Sequence, residues 1–61
     1  MMPSYSVYSV DEDGSISGLR TLDAVSDDEA IFAVRSMKRP IETQIWHRDR
    51  RIATIPPYRR L

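Results

Sequence analysis

The side chains best equipped for chemistry sit between Trp46 and Arg51, W-H-R-D-R-R: an indole, the chain's one histidine and three guanidinium groups around a short polar turn. Arg48, Arg50 and Arg51, with Arg59 and Arg60 behind them, could hold phosphates, while Trp46 and Tyr8 could stack on bases. Two observations weigh against that chemistry. The RNP1 motif of sheet-based RNA binders is absent, and seven of the nine acidic residues precede residue 30, where they repel a polyanion. A solvated basic turn is the plainer reading of the arginines.

His47 is a poor metal ligand by count, because no cysteine and no second histidine accompany it. Catalysis would need a positioned nucleophile or acid beside it; Asp49, two residues on, offers a local charge pair and no more. An ordinary histidine at a strand end is expected. Asp11-Glu12-Asp13-Gly14 invites comparison with a calcium loop, which needs a carboxylate at its first position and a bidentate Glu at its twelfth. With Asp13 and Gly14 at the fifth and sixth positions, Ser9 and Arg20 would stand there instead. The run is therefore read as a hairpin turn, with Asp-Gly supplying the positive φ. No Ser/His/Asp arrangement, phosphate-cradling glycine loop or dinucleotide fingerprint occurs, and so short a chain has difficulty enclosing a ligand pocket. No catalytic, metal-binding or cofactor-binding residue is expected.

The elements that hold these side chains are organised around Ser26–Arg39, the one segment that reads as a helix. Ser26 and Glu29 form an S-x-x-E capping box, and Asp27, Asp28 and Glu29 place negative charge on the exposed amides of the first turn. Val25 and Ala30 are spaced for a weak hydrophobic staple. Arg35, Lys38 and Arg39 suit the last carbonyls, and Pro40 is the expected stop. Ala30, Ala33, Val34 and Met37 make the inward stripe, flanked by Ile31. Phe32 points away from it, almost opposite Ala30 at about 100° per residue.

Ser4–Val10, S-Y-S-V-Y-S-V, reads as a strand whose apolar phase shifts midway: Tyr5 and Val7 share one face, Tyr8 and Val10 the other. Either both faces are partly covered or a bulge re-aims the strand. A second strand runs from Ser15 to about Leu22, with Gly18 suggesting a bulge. Ile41–His47 alternates cleanly, with Trp46 on the side of Glu42 and Gln44. Arg48-Asp49, either alone or with Arg50, turns the chain into a last strand over Arg51–Ile55, ended by Pro56-Pro57. The result is an α+β fold, a two-layer ββαββ domain with one helix packed on one face of a small, mainly antiparallel four-stranded sheet. The other face is left with aromatics beside arginines.

At 61 residues the chain makes one small domain, ordered over about 4–57, with Tyr58–Leu61 a mobile basic tail. Such chains bury only about 60% of their unfolded surface, and without cysteine no disulfide can supplement the core. Self-association is the common remedy. Net charge is zero, but eight of the nine bases follow residue 30, complementing the acidic first half. No apolar run approaches a membrane span, and a signal peptide's pattern is missing at the start. No membrane role is expected, and a cytoplasmic setting is.

Three segments, Tyr5–Ile16 (Y-S-V-Y-S-V-D-E-D-G-S-I), Ser26–Ile31 (S-D-D-E-A-I) and Ile45–Ala53 (I-W-H-R-D-R-R-I-A), together resemble a group of short hypothetical proteins of rhizobia and related alphaproteobacteria. The resemblance spans roughly residues 5–55 and implies a bacterial source and a shared fold. It carries no activity and no functional residues. The chain departs from the group in its C-terminal Pro-Pro-Tyr-Arg-Arg-Leu and in lacking glycine at the last turn. Two functions follow as expectations. The first is a non-enzymatic protein–protein interaction module that forms a homodimer, or binds another protein, through the uncovered sheet face, with Tyr8, Phe32, Trp46, Arg48, Arg50 and Arg51 as the candidate surface. The alternative is a nucleic-acid-binding accessory protein using the basic and aromatic patch.

Overall fold

Alternating Tyr and Val over Ser4–Val10 build strand β1, and the Asp-Gly turn folds the chain back into β2, Ile16–Asp23. The computed structural model describes residues 2–59. The first turn closes with Asp11 N–H donating to the Ser15 carbonyl (2.8 Å) and Gly14 N–H to the Asp11 carbonyl (2.9 Å), with Gly14 at φ 87°. The Asp13 carboxylate accepts from the Ser15 amide at 2.9 Å, which holds its pKa below the ordinary value.

Helix α1 spans Asp27–Ser36 and starts at the expected cap, the Ser26 hydroxyl accepting from the Glu29 amide at 3.2 Å. It ends earlier than Arg39. Met37 is the C-cap and Lys38 takes φ 51°, a left-handed turn that stops the helix before Pro40 acts. Two expectations fail with this shift. Met37, past the last full turn, is 42% exposed rather than on the inward stripe, and Lys38 and Arg39 lie beyond the helix. Val25 is exposed and makes no tight staple; Ala24, one residue earlier, is the buried one.

After α1 come β3, Glu42–His47, and β4, Arg50–Ile55. The sheet order is β2-β1-β3-β4, with every neighbouring pair antiparallel. The crossover explains this order. The helix returns the chain to the end where β2 began, so β3 runs parallel to β2. On the far side of β1, β3 gains an antiparallel neighbour, and the fold is the two-layer ββαββ that the sequence implies.

Tyr5, Val7 and Ile45 from the central strands meet Ala24, Ala30 and Val34 in one core, with Leu22, Ile31, Ile52, Ala53 and Ile55 packed around it. Two bulges tune the faces. Ser17 is the extra residue between the Ser9–Gly18 and Val10–Ile16 pairs, one step from the glycine that suggested a bulge. On β4, Ile52 falls between the Ile45–Ala53 and Trp46–Arg51 pairs. Because of it, adjacent Ile52 and Ala53 both pack on the core. No buried side-chain nitrogen or oxygen lacks a partner among the described residues.

Tyr58, expected in a mobile tail, is anchored: its N–H donates to the Arg39 carbonyl at 2.8 Å and its ring lies under the Lys38 ammonium. Arg60-Leu61, the end of that tail, falls outside the described residues. No described helix is long and apolar enough to cross a membrane.

Among the described residues, Lys38 and Arg48 are the two non-glycine residues at positive φ, 51° and 60°. Glycine tolerates this region at no steric cost, whereas a side chain there is strained. Arg48→Gly is expected to stabilise the fold by about 0.5–1 kcal/mol, net of glycine's added unfolded-state entropy, and Lys38→Gly by less, because it also gives up the ammonium contact with Tyr58. Urea melts read the difference; a loss of stability at both sites would contradict the strain argument.

Candidate functional site

Alternation along four strands decides which side chains share the face that α1 does not cover. Tyr5, Val7 and Ser9 point to the helix layer, which leaves Ser4, Ser6, Tyr8 and Val10 on the open side. Register extends this across the sheet. Ser6 lies opposite Thr21 and Trp46, and Trp46 opposite Arg51; Tyr8 lies opposite Leu19 and Gln44. Val10 pairs with Ile16 and Glu42, and Ser4 with Asp23.

The centre of the face is aromatic. Tyr8 and Trp46 meet edge to face, with centroids 6.4 Å apart and an interplanar angle of 89°. The Trp46 indole N–H donates to Gln44 Oε1 at 3.1 Å, so the ring is held in place and its polar atom satisfied. Beside them Leu19 and Ile16 are each 61% exposed, an apolar margin on an edge strand. Polar groups rim the patch: Asp23, which accepts from the Ser4 hydroxyl at 2.9 Å, Arg51 and Glu42.

Of the six residues expected to form an interaction surface, Tyr8, Trp46 and Arg51 therefore share the open face. The other three do not join them. Phe32 is 72% exposed on α1, in the opposite layer. Arg48 sits at the tip of the two-residue β3–β4 turn. Arg50 pairs with His47 on the helix side of the sheet and reaches Asp27 Oδ2 at 3.7 Å. Leu19 and Ile16 belong to the face without having been singled out. Their spacing carried the signal: Leu19 and Leu22 are three positions apart, so in a strand the two must point to opposite sides.

A second cluster occupies the helix side, at the N-terminus of α1. The Tyr5 hydroxyl donates to Asp27 Oδ1 at 2.8 Å, and the His47 ring lies on the Tyr5 ring, centroids 5.1 Å apart. His47 thus packs on Tyr5 and forms no ion pair with Asp49 among the described residues. The Arg50–Asp27 pair, with side chains 72% and 45% exposed, adds little to stability. Among the described residues no three His, Cys, Asp or Glu side chains group closely enough to hold a metal ion.

The Asp27 bond raises the Tyr5 pKa above its ordinary 10.0, helped by burial and by the carboxylate's charge. A raised folded pKa gives stability that is fully present below the unfolded value and is lost as pH rises through the folded one. Wild-type protein is thus expected to lose stability above pH 10.0 more steeply than Tyr5→Phe, which has no proton to lose there. Denaturant melts on either side of that pH measure the gap, and identical slopes would contradict it.

No family model, curated protein or solved structure matches this chain. The reading of the open face rests on its own geometry.

Proposed function

We propose that this chain is a non-catalytic protein–protein interaction module that self-associates through the open face of its sheet. One observation carries the reading: an ordered Tyr8–Trp46 pair, bordered by Leu19 and Ile16, lies on the face that the single helix leaves bare. Scattered apolar side chains are normal on any surface, but a contiguous aromatic and aliphatic patch marks a contact site. The small core gives an independent reason to associate.

Size sets the expected strength. Four strands about 4.8 Å apart and roughly 20 Å long present a footprint of ~400 Å². Two copies would then bury about 800 Å² of flat area, more with side-chain relief, at the weak end of specific interfaces. Association in the micromolar range is expected. Sedimentation from about 10 μM to about 1 mM should show a concentration-dependent dimer, and Trp46→Ala should weaken it about tenfold or more. A mass that stays monomeric throughout, or a Trp46→Ala dimer of unchanged strength, would refute the reading.

The nucleic-acid alternative keeps Tyr8 and Trp46 as a stacking platform with Arg51 beside them. Asp23 and Glu42 on the same face, with Arg50 on the helix side and Arg48 at the turn tip, weaken it. It requires salt-dependent binding of a single strand, and no binding at low salt ends it. A cytoplasmic setting goes with this proposal, supported by a chain without cysteine. Kinship with the short alphaproteobacterial proteins is likewise proposed, on segments that form the first hairpin, the helix start and the second hairpin.

A further inference from the structure

The open face is asymmetric in charge. Asp23 lies on β2 and Arg51 on β4, the two opposite edges of the sheet, and they differ by one cross-strand row. One row holds Thr21, Ser6, Trp46 and Arg51; the next holds Leu19, Tyr8, Gln44 and Thr54. Resting on the open-face reading above, we propose that the partner is a second copy of this chain, related by a two-fold axis between the stacked sheets and parallel to their strands.

That operator lays β2 of each copy over β4 of the other and β1 over β3, while keeping each row over the same row. Arg51 then lies over Thr21 of the partner, with Asp23 of the partner one row, about 7 Å, along the strand and within the span of the guanidinium side chain. The contact occurs twice over, because a two-fold contact is isologous. The axis passes between the central strands β1 and β3, so both Tyr8–Trp46 pairs gather around it. Trp46 comes over Ser6 of the partner, a large ring over a small side chain, which suits close packing. Leu19 comes over Thr54 of the partner, an uncharged contact.

A two-fold axis running across the strands is the competing arrangement. It stacks each strand on its own counterpart and reverses the rows, so Asp23 falls over Ile16 of the partner and a carboxylate is set on the face's exposed isoleucine. Its charge contact would be Glu42 with Arg48 of the partner. Charge complementarity with an uncharged centre favours the axis parallel to the strands.

Charge exchange tests this. Asp23→Arg and Arg51→Asp are each expected to raise the dimer dissociation constant about tenfold, since symmetry counts each repulsion twice, and the double variant to return within about threefold of wild type. Asp23→Arg also gives up the Ser4 hydrogen bond, so circular dichroism melts accompany every variant; Arg51→Asp leaves that bond intact and shows the effect without it. If the double variant is no tighter than the singles, the parallel axis is wrong. Recovery by Glu42→Arg with Arg48→Glu instead would assign the crosswise axis. Trp46→Ala separates the two levels: a dimer it leaves intact sinks the open-face reading itself, whereas a dimer it breaks but charge exchange fails to restore sinks the axis alone.

Discussion

Ile45→Ala is expected to leave this protein largely unfolded at 25 °C. Ile45 is 0% exposed, lies on β3 between Val7 of β1 and Ala53 of β4, and belongs to the cluster that α1 covers with Ala30 and Val34. Truncating a buried isoleucine costs about 2–5 kcal/mol, combining lost burial with the cavity left behind. A core of this size supplies only about 3–5 kcal/mol in all. The two figures overlap, so no reserve remains. Far-ultraviolet circular dichroism should lose its cooperative thermal transition, while Ile45→Val, at about 0.5–1.5 kcal/mol, should keep one at lower temperature. An Ile45→Ala protein that melts like wild type would mean that the helix and sheet do not share the core described here.

The second large effect comes from adding atoms. Ala30, in the first turn of α1, is also 0% exposed, and its methyl group sets how closely the helix approaches the sheet. Leucine there must push the helix outward or displace neighbours, at a cost of about 1–3 kcal/mol. Two residues on, Phe32 is far larger yet 72% exposed, so Phe32→Ala should change stability by less than about 0.5 kcal/mol. The contrast runs against residue size and depends only on which side of the helix faces the sheet. Urea melts of both variants decide it. Phe32→Ala should also leave the dimer mass unchanged, since Phe32 stands in the layer opposite the open face.

Much of this architecture was legible in the residues. β1 follows from its Tyr-Val alternation, the first turn from Asp-Gly, and the helix start from the cap at Ser26. The helix end was harder. Lys38 enters the left-handed region without being glycine, and no residue type marked that break, so Pro40 took the credit for a stop that occurs earlier. Strand order was closed to inspection because alternation tells which way a side chain points and says nothing about which strand lies beside it. The arginines show the same limit at finer scale. Arg50 and Arg51 are adjacent, so a strand must send them to opposite faces, and the bulge at Ile52 fixes which one stands by Trp46. A cluster drawn from proximity in sequence necessarily mixed the two sides.

The placement of α1 has a consequence for motion. The helix lies over β3 and β4, and β2 is joined to the rest chiefly by its ladder to β1, with only Gly18 and Leu22 half-buried along eight residues. A segment with so few inward anchors opens locally without unfolding the whole. Its amide hydrogens should exchange with solvent long before those of β1 and β3. Ile16, Leu19 and Asp23 all ride on that strand, so occupation of the open face would register as slowed exchange across β2, with the protein's own least stable element acting as the reporter.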